Sequence, residues 1–275
     1  MSILSDESLI ARIKQALEHA TEAIAPFRGG HVKAEHKSGN HLVTGADRAA
    51  DRALQESLST RDEGWLSEES VDDLSRLDKN CVWIVDPLDG TRQFVDGTPE
   101  WSVSVAFIED GEPIAGGVCN PATNEMVIGS LSLGVTYNGI PCKVRHHGSM
   151  AGAVVLASRS EVERGEWKRF EGSFFKIIPV GSIAYKLALV AAGLADATWT
   201  MQRKYEWDIA AGVALVRAGG GVVRHFGSER LTFNKHTPVV ANVIACGSHL
   251  TEELPYHIAR LCKTKLDTED PLMSK

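Results

Sequence analysis

The most informative segment of this sequence is Cys81-Val82-Trp83-Ile84-Val85-Asp86-Pro87-Leu88-Asp89-Gly90-Thr91. Its apolar first half predicts a buried strand, and the Asp-Pro step predicts the point at which that strand stops. Pro87 fixes the backbone torsion of the following turn, while Gly90 permits a conformation that other residues rarely adopt. The carboxylates of Asp86 and Asp89 can therefore converge on one point, although the same residues would also suit an ordinary turn.

Further candidate ligands surround this pair of acids. The carbonyl group of Leu88 lies between them, and the amides of Gly90 and Thr91 would suit a phosphate if they open a helix. Upstream, Glu68 follows the short apolar segment Trp65-Leu66-Ser67, as would an acid at the end of a strand. Carboxylates gathered in one pocket repel each other, and a hard cation relieves that repulsion. Because His and Cys are absent from the set, Mg²⁺ or Mn²⁺ is favoured over zinc.

Two more acids have simple explanations when each is considered alone. Asp208 precedes the apolar run Ile209-Ala210-Ala211-Gly212-Val213, which predicts a helix with Asp208 as its N-cap. Asp47 stands in the first turn of another predicted helix, where the helix dipole stabilises a negative charge. Neither residue indicates a functional site by itself.

Composition narrows the class of protein. The chain has 275 residues, of which 43% are hydrophobic and 24% charged, as in an ordinary globular protein. Its net charge of -7 argues against a nucleic-acid polymer as partner. The five scattered cysteines form no CxxC pair and predict reduced thiols. We expect a cytoplasmic protein without a membrane anchor, because no signal-peptide pattern or apolar run of roughly 20 residues is present.

Hydrophobic periodicity predicts a mixture of helices and antiparallel strands. The predicted helices cover residues 7–27, 46–58, 163–170, 183–192 and 209–218. An antiparallel meander is predicted between residues 101 and 144, with a change of character at His146-His147-Gly148-Ser149. The sequence therefore predicts an α/β (α+β) protein with two closely joined lobes, 1–147 and 148–275.

Three separated motifs, taken together, resemble the inositol monophosphatase family in type and in order. They are Glu68-Glu69-Ser70, Asp86-Pro87-Leu88-Asp89-Gly90-Thr91 and Trp207-Asp208-Ile209-Ala210-Ala211-Gly212. The wider group includes the 3′(2′),5′-bisphosphate nucleotidases and fructose-1,6-bisphosphatase. The resemblance implies a layered α-β-α-β-α sandwich of the sugar-phosphatase type with mostly antiparallel sheets. It also implies lithium-sensitive hydrolysis of a small phosphate ester with two or three Mg²⁺ ions per site, and it suggests a homodimer.

The resemblance also implies roles for particular residues. By matching position, the metal ligands would be Glu68, Asp86, the carbonyl of Leu88, Asp89 and Asp208. Glu68 and Thr91 would orient and deprotonate the attacking water, with Asp47 supporting Thr91 or a further metal ion. The residues that would contact the substrate are Gly90, Thr91, Gly181 and Ser182. The lobe 1–147 would thus carry most metal ligands, and the lobe 148–275 would contribute Asp208 and the substrate side.

The leaving group stays open at this point. Inositol monophosphatases typically carry an acid soon after the equivalent of Asp196, whereas this chain has Trp199-Thr200 in that neighbourhood. The segments Glu206-Trp207-Asp208 and Ser158-Arg159-Ser160 look more like the bisphosphate nucleotidases. That group often has His where this chain has Glu161, and Tyr-Pro-Arg where this chain has Thr198-Trp199-Thr200. Arg203 and Lys204 could meet a second phosphate or form a solvated basic pair on a loop. We therefore favour a 3′(2′),5′-bisphosphate nucleotide such as 3′-phosphoadenosine 5′-phosphate, with inositol 1-phosphate as the alternative.

Two other classes of protein fit the motifs less well. Haloacid-dehalogenase-like phosphatases carry Asp-x-Asp-Gly-Thr, whereas two residues separate Asp86 from Asp89 here. A catalytically inactive phosphate-binding protein on the same fold should have lost a ligand or the water-orienting Thr91, and this chain retains the complete set.

Overall fold

Six helices and sixteen strands make up the computed structural model, which describes residues 5–36, 42–146, 148–225, 230–254 and 258. The helices are α1 (Asp6–Ile24), α2 (Gly45–Leu58), α3 (Thr91–Val95), α4 (Arg159–Glu163), α5 (Ile183–Ala191) and α6 (Glu206–Ala218). The strands of the first half are β1 (Ala34–His36), β2 (Leu42–Thr44), β3 (Gly64–Ser67), β4 (Cys81–Asp89), β5 (Ser102–Glu109), β6 (Glu112–Asn120), β7 (Glu125–Ser130), β8 (Gly134–Tyr137) and β9 (Ile140–Cys142). Those of the second half are β10 (Val154–Ser158), β11 (Lys176–Val180), β12 (Ala197–Trp199), β13 (Lys204–Tyr205), β14 (Gly221–His225), β15 (Val239–Val240) and β16 (Val243–Gly247).

Two large sheets organise the molecule. The first has seven strands in the order β3-β4-β5-β6-β7-β8-β9, and only its β3–β4 pair is parallel. The second has five strands in the order β11-β10-β12-β16-β14, with parallel pairs around β10 and antiparallel pairs around β16. The predicted α/β class with mostly antiparallel sheets is confirmed. No helix among the described residues is long and apolar enough to cross a membrane.

The helices α1 and α2 pack together over one face of the seven-stranded sheet. In α1, the residues Leu9, Ile13 and Leu17 recur at helical spacing and are buried against this sheet. The helix begins after Ser5, whose hydroxyl accepts a hydrogen bond from the Ser8 amide at 3.3 Å. Such an N-cap, followed by an amphipathic face, stabilises a helix that could not persist alone.

The helices α5 and α6 form the middle layer between the two sheets. The described part of α6 is apolar on nearly every side, and its residues Ile209 to Val216 are all buried. It packs against β4, β5, β6 and β7 on one side and against β14 on the other. A helix that is hydrophobic all round belongs in the interior. Beyond the second sheet, a further layer contains α4, Trp167 and Phe170, which completes the predicted α-β-α-β-α order.

One sequence-based expectation about the fold is wrong, and another stays a prediction. The helix predicted over residues 163–170 is wrong, because α4 ends at Glu163 and a 3₁₀ turn covers Glu166–Phe170. Between them Gly165 has a φ of 77°, which interrupts a right-handed helix. The division of the chain into two lobes stays a prediction, since α6 packs against both sheets and His147 lies outside the described residues.

The close approach of α5 to α6 at Gly212 gives a stability prediction. A Cβ atom at Gly212 would lie 2.3 Å from the Leu187 Cβ and 2.5 Å from its Cδ1. Alanine has a higher helix propensity than glycine, but these separations are shorter than any normal contact between carbon atoms. We expect Gly212→Ala to lower the free energy of unfolding by about 1–3 kcal/mol in a urea titration.

A matched control is Gly148→Ala, because a Cβ at Gly148 meets no atom within 4 Å. This variant should unfold within about 0.5 kcal/mol of the wild type. Equal stability of the two variants would contradict the packing of α5 on α6.

Candidate metal centre

An irregularity in β4 brings Asp86 and Asp89 to the same side of the sheet. In a regular strand, residues three positions apart point to opposite faces. Here Asp86 pairs with Ser104 and Asp89 with Ser102, so β4 carries one residue more than β5 over this interval. Such a β-bulge shifts the alternation by one position. The Asp-Pro-Leu-Asp segment therefore aims both carboxylates into one cleft.

The third acid of the cluster comes from the beginning of α6. Asp208 stands at the third position of this helix, and its Oδ2 accepts a hydrogen bond from the Tyr205 amide at 2.8 Å. One carboxylate oxygen from each of Asp86, Asp89 and Asp208 lies within 4.8 Å of the others. Asp208 is therefore a capping residue, though not the N-cap itself, and it belongs to the cluster at the same time.

Burial and mutual repulsion make this cluster electrostatically unfavourable without a cation. Burial raises the pKa of Asp86 well above its ordinary value, and the charges of Glu68, Asp89 and Asp208 add to the effect. Burial and the charge of Asp89 likewise raise the pKa of Asp208 to about 6. The Oδ2 atom of Asp86 is buried and has no hydrogen-bond partner among the described residues. An all-oxygen donor set with an unsatisfied buried oxygen fits a hard divalent cation such as Mg²⁺.

Glu68 borders the same cleft. Hydrogen bonds to Asp51 of α2 hold the loop that carries it. The carboxylate of Asp51 accepts hydrogen bonds from Ser67 Oγ at 2.5 Å and from Ser70 Oγ at 2.8 Å. These two serines flank Glu68 and Glu69, so one buried side chain fixes both ends of the turn. Sequence reasoning missed Asp51, because an acid in an amphipathic helix is ordinarily solvated.

The predicted partnership of Asp47 with Thr91 has a clear geometry. The Thr91 hydroxyl lies 3.0 Å from Asp47 Oδ1 and 3.2 Å from the Leu88 carbonyl oxygen, either of which can accept its proton. The other oxygen of Asp47 accepts from the Thr44 amide at 2.8 Å and from the Thr44 hydroxyl at 2.6 Å. Burial nevertheless raises the pKa of Asp47. Gly90, with a φ of 96°, provides the left-handed turn from which α3 starts at Thr91.

Ser182 contacts the metal cluster, and its predicted contact with the substrate stays a prediction. Its side chain is buried, its hydroxyl donates to Asp89 Oδ2, and the Ala184 amide donates to the same oxygen at 2.7 Å. Neither Gly181 nor Ser182 is among the residues that line the cleft. A Cβ at Gly181 would lie 2.6 Å from the Gln93 Cγ, and Gln93 does line the cleft. This segment therefore orients Asp89 and packs behind the cleft wall.

The cleft that the acids line has a volume of about 380 Å³, and groups of both charges border it. Its acidic lining residues are Glu68, Asp89 and Asp208. Its basic lining residues are Arg92, Arg164, Arg203 and Lys204, and the lining also includes Gln93, Ser160, Tyr205 and Trp207. Within the described part of the chain, Arg92, Arg203 and Lys204 form no salt bridge, while Arg164 pairs with Glu166.

Lys186 is a functional candidate that the sequence did not reveal. It lies in the apolar helix α5 and is only 1% exposed, and this burial lowers its pKa to about 7. Repulsion from Lys204 acts in the same direction, while Asp89 and Glu161 favour the charged form. A lone lysine in a helix usually reaches solvent, so only the structure identifies this one as buried.

Comparison with known proteins agrees with the fold and the site. The chain matches the sequence model of the inositol monophosphatase family over residues 5–263. It is 33% identical over 274 residues to an inositol-1-monophosphatase of Rhizobium meliloti, covering 95% of this chain and 100% of that protein. It is 34% identical over 209 residues to a fructose-1,6-bisphosphatase/inositol-1-monophosphatase of Thermotoga maritima, covering 74% and 79% of the two. A solved IMPase structure from Thermotoga maritima superposes with a TM-score of 0.81 at 28% identity, covering 94% and 99%.

The layered fold and the buried carboxylate cluster define a phosphatase of the metal-dependent type. The chain belongs to the inositol monophosphatase family. Proteins of this family are metal-dependent hydrolases of phosphate monoesters, and so is this chain. The relatives differ in the substrates that their names state, so the fold does not determine which ester is cleaved.

The repulsion within the cluster gives a prediction about metal-free and metal-bound stability. Asp208→Asn removes one negative charge and keeps an oxygen that can accept from the Tyr205 amide. At pH 7.5 in EDTA, we expect this variant to melt about 2–4 °C above the wild type, because a buried repulsion is relieved. Addition of Mg²⁺ should raise the melting temperature of the wild type much more than that of the variant.

The matched control is Asp62→Asn, which makes the same charge change at an exposed acid outside the cleft. It should leave both melting temperatures close to those of the wild type. A Mg²⁺ response in Asp208→Asn as large as that of the wild type would exclude Asp208 from the cation site.

Proposed function

We propose that the chain is a Mg²⁺-dependent phosphomonoesterase that holds two or three cations, for which Mn²⁺ could substitute. The ligands would be Glu68, Asp86, the Leu88 carbonyl, Asp89 and Asp208. The observation that carries this proposal is the convergence of three carboxylates within 4.8 Å around a buried oxygen without a hydrogen-bond partner. When bound, the cations would neutralise the anionic ester and lower the pKa of nearby water.

The protein's own residues would supply positioning and proton transfer. If the Leu88 carbonyl oxygen binds a cation, the Thr91 proton goes to Asp47, which lies 3.0 Å away. The Thr91 oxygen is then an acceptor that orients the attacking water, whose proton passes to the Glu68 carboxylate. The amides of Gly90 and Thr91 would hold the phosphate at the start of α3. Phosphoryl transfer needs little more than such orientation and charge neutralisation.

For the substrate, we favour a 3′(2′),5′-bisphosphate nucleotide that is cleaved to a nucleoside monophosphate and phosphate. The positive charge of the cleft supports this choice, because Arg92, Arg203 and Lys204 line it together with the acids. Arginine can grip a second phosphate with two parallel hydrogen bonds. Outside the metal cluster, no acid is among the described residues that line the cleft, so the hydroxyl groups of inositol lack the carboxylate partner of typical inositol monophosphatases.

Inositol 1-phosphate is the second candidate, and one observation favours it. The relative from Rhizobium meliloti, which the chain covers in full, is named an inositol-1-monophosphatase. Three further properties do not depend on the choice of substrate. Lithium inhibition, homodimer formation and a cytoplasmic location stay predictions.

The role of Thr91 gives a prediction that separates catalysis from metal binding. Thr91→Ala removes the oxygen that orients water, so we expect kcat to fall by at least about 100-fold. The Mg²⁺ concentration at half-maximal activity should change by less than about threefold, because no carboxylate ligand is lost. The matched variant Thr91→Ser keeps the hydroxyl and should recover most of the activity. An unchanged kcat in Thr91→Ala would refute the assigned role.

A phosphate-release panel tests the substrate. Adenosine 3′,5′-bisphosphate, fructose 1,6-bisphosphate and inositol 1-phosphate are compared at equal concentration, each with Mg²⁺ and with EDTA. We expect the highest kcat/KM for the nucleotide and no release from any compound in EDTA. A higher kcat/KM for inositol 1-phosphate would overturn the nucleotide assignment while leaving the phosphatase intact. Release that persists in EDTA would contradict metal dependence.

A further inference from the structure

Two aromatic rings in the lining of the cleft form a parallel stack. The ring centroids of Tyr205 and Trp207 are 4.5 Å apart, and the ring planes differ by 8°. Both residues line the cleft. The described residues expose several large apolar or aromatic side chains, and Tyr205, at 39%, is the one that borders the cleft.

The backbone holds this stack in a fixed position relative to the metal cluster. Tyr205 belongs to the short strand β13, in which it pairs with Val239 of β15. Its amide donates to Asp208 Oδ2 at 2.8 Å, and α6 begins with the next residue. The stack and the Asp208 carboxylate thus share one helical turn. An aromatic surface with so little freedom loses little conformational entropy when a ligand covers it.

The Tyr205 ring is not part of the hydrophobic core. Trp207 is partly buried and packs against the main core, whereas Tyr205 adds exposed surface on top of it. A second stacked pair shows the contrast, since the ring centroids of Trp167 and Trp199 are 4.6 Å apart, their planes differ by 28°, and both rings are almost fully buried. A ring that is kept in place yet left open to a cleft offers its face to a ligand.

We propose that the Tyr205–Trp207 stack is a platform for the planar base of the substrate. This inference rests on the proposed nucleotide substrate and deepens it. Base–aromatic stacking needs a π face, which neither inositol nor a sugar bisphosphate has. The adjoining residues Arg203 and Lys204 stand where a phosphate attached to the same nucleoside can meet a positive charge. Aromatic face and cations together match a nucleotide better than they match a sugar phosphate.

The test compares two substrates that differ only in the base. These are adenosine 3′,5′-bisphosphate and 1-deoxyribose 3,5-bisphosphate, which carries the same phosphates on a ring without a base. For the wild type we expect KM to be about tenfold lower for the nucleotide, in line with the strength of base stacking. In Tyr205→Ala this ratio should shrink to within about threefold. Tyr205→Phe keeps the ring and should preserve the ratio.

A control variant and the alternative outcomes separate the explanations. Leu133→Ala removes an exposed apolar side chain away from the cleft and should preserve the wild-type ratio. If Tyr205→Ala raises KM for both compounds by the same factor, the ring acts structurally and the platform is refuted. If the wild type cleaves both compounds with the same KM, the platform is refuted, while the assignment of a bisphosphate substrate is unaffected. If it releases phosphate from inositol 1-phosphate alone, the nucleotide assignment and the platform both fall.

Discussion

The mutual repulsion of Asp86, Asp89 and Asp208 is the constraint on which the rest of the site depends. Asp86 is buried and the other two are partly buried, and like charges within 4.8 Å of one another separate unless the backbone prevents it. Two of the acids are held by β4 and its extra residue, in the interior of a seven-stranded sheet. The third is held by α6, which is buried between two sheets and cannot tilt away. The layered architecture therefore holds the three carboxylates together against their repulsion, which a bound divalent cation would relieve.

The helix α2 shows how one element supports both sides of the cleft. Asp47 and Asp51 are one helical turn apart and therefore lie on the same face. Asp47 accepts a hydrogen bond from Thr91 beside α3, and Asp51 accepts from the serines around Glu68. Packing of α2 against α1 and β4 thus positions the groups that we assign to orientation and deprotonation of water. Asp47 and Asp51 would therefore be needed for turnover because they position Thr91 and Glu68, without touching the substrate themselves.

Much of this site could be predicted because its residues follow one another along the chain. The β4 strand and the turn after it were readable from an apolar run that ends in Asp-Pro, and three ordered motifs added Asp208. Contacts that neither a local pattern nor the order of the motifs indicates could not be predicted. The bond from Ser182 to Asp89 joins residues 93 positions apart, and the interior location of Lys186 depends on how α5 meets the sheets. Local pattern also missed the interruption at Gly165, whose φ of 77° no periodicity reveals.

Two residues that depart from the nucleotidase pattern, Glu161 and Trp199, are buried, so other side chains must recognise the leaving group. Glu161, which replaces the histidine common in that group, is buried and accepts hydrogen bonds from Trp167 Nε1 at 2.9 Å and from the Thr200 hydroxyl at 2.7 Å. Trp199 is 1% exposed and stacks on Trp167. Neither Glu161 nor Trp199 can reach a ligand from these positions. Selection of the leaving group must therefore depend on side chains that face the cleft, and the junction of β13 with α6 supplies both an aromatic face and cations there.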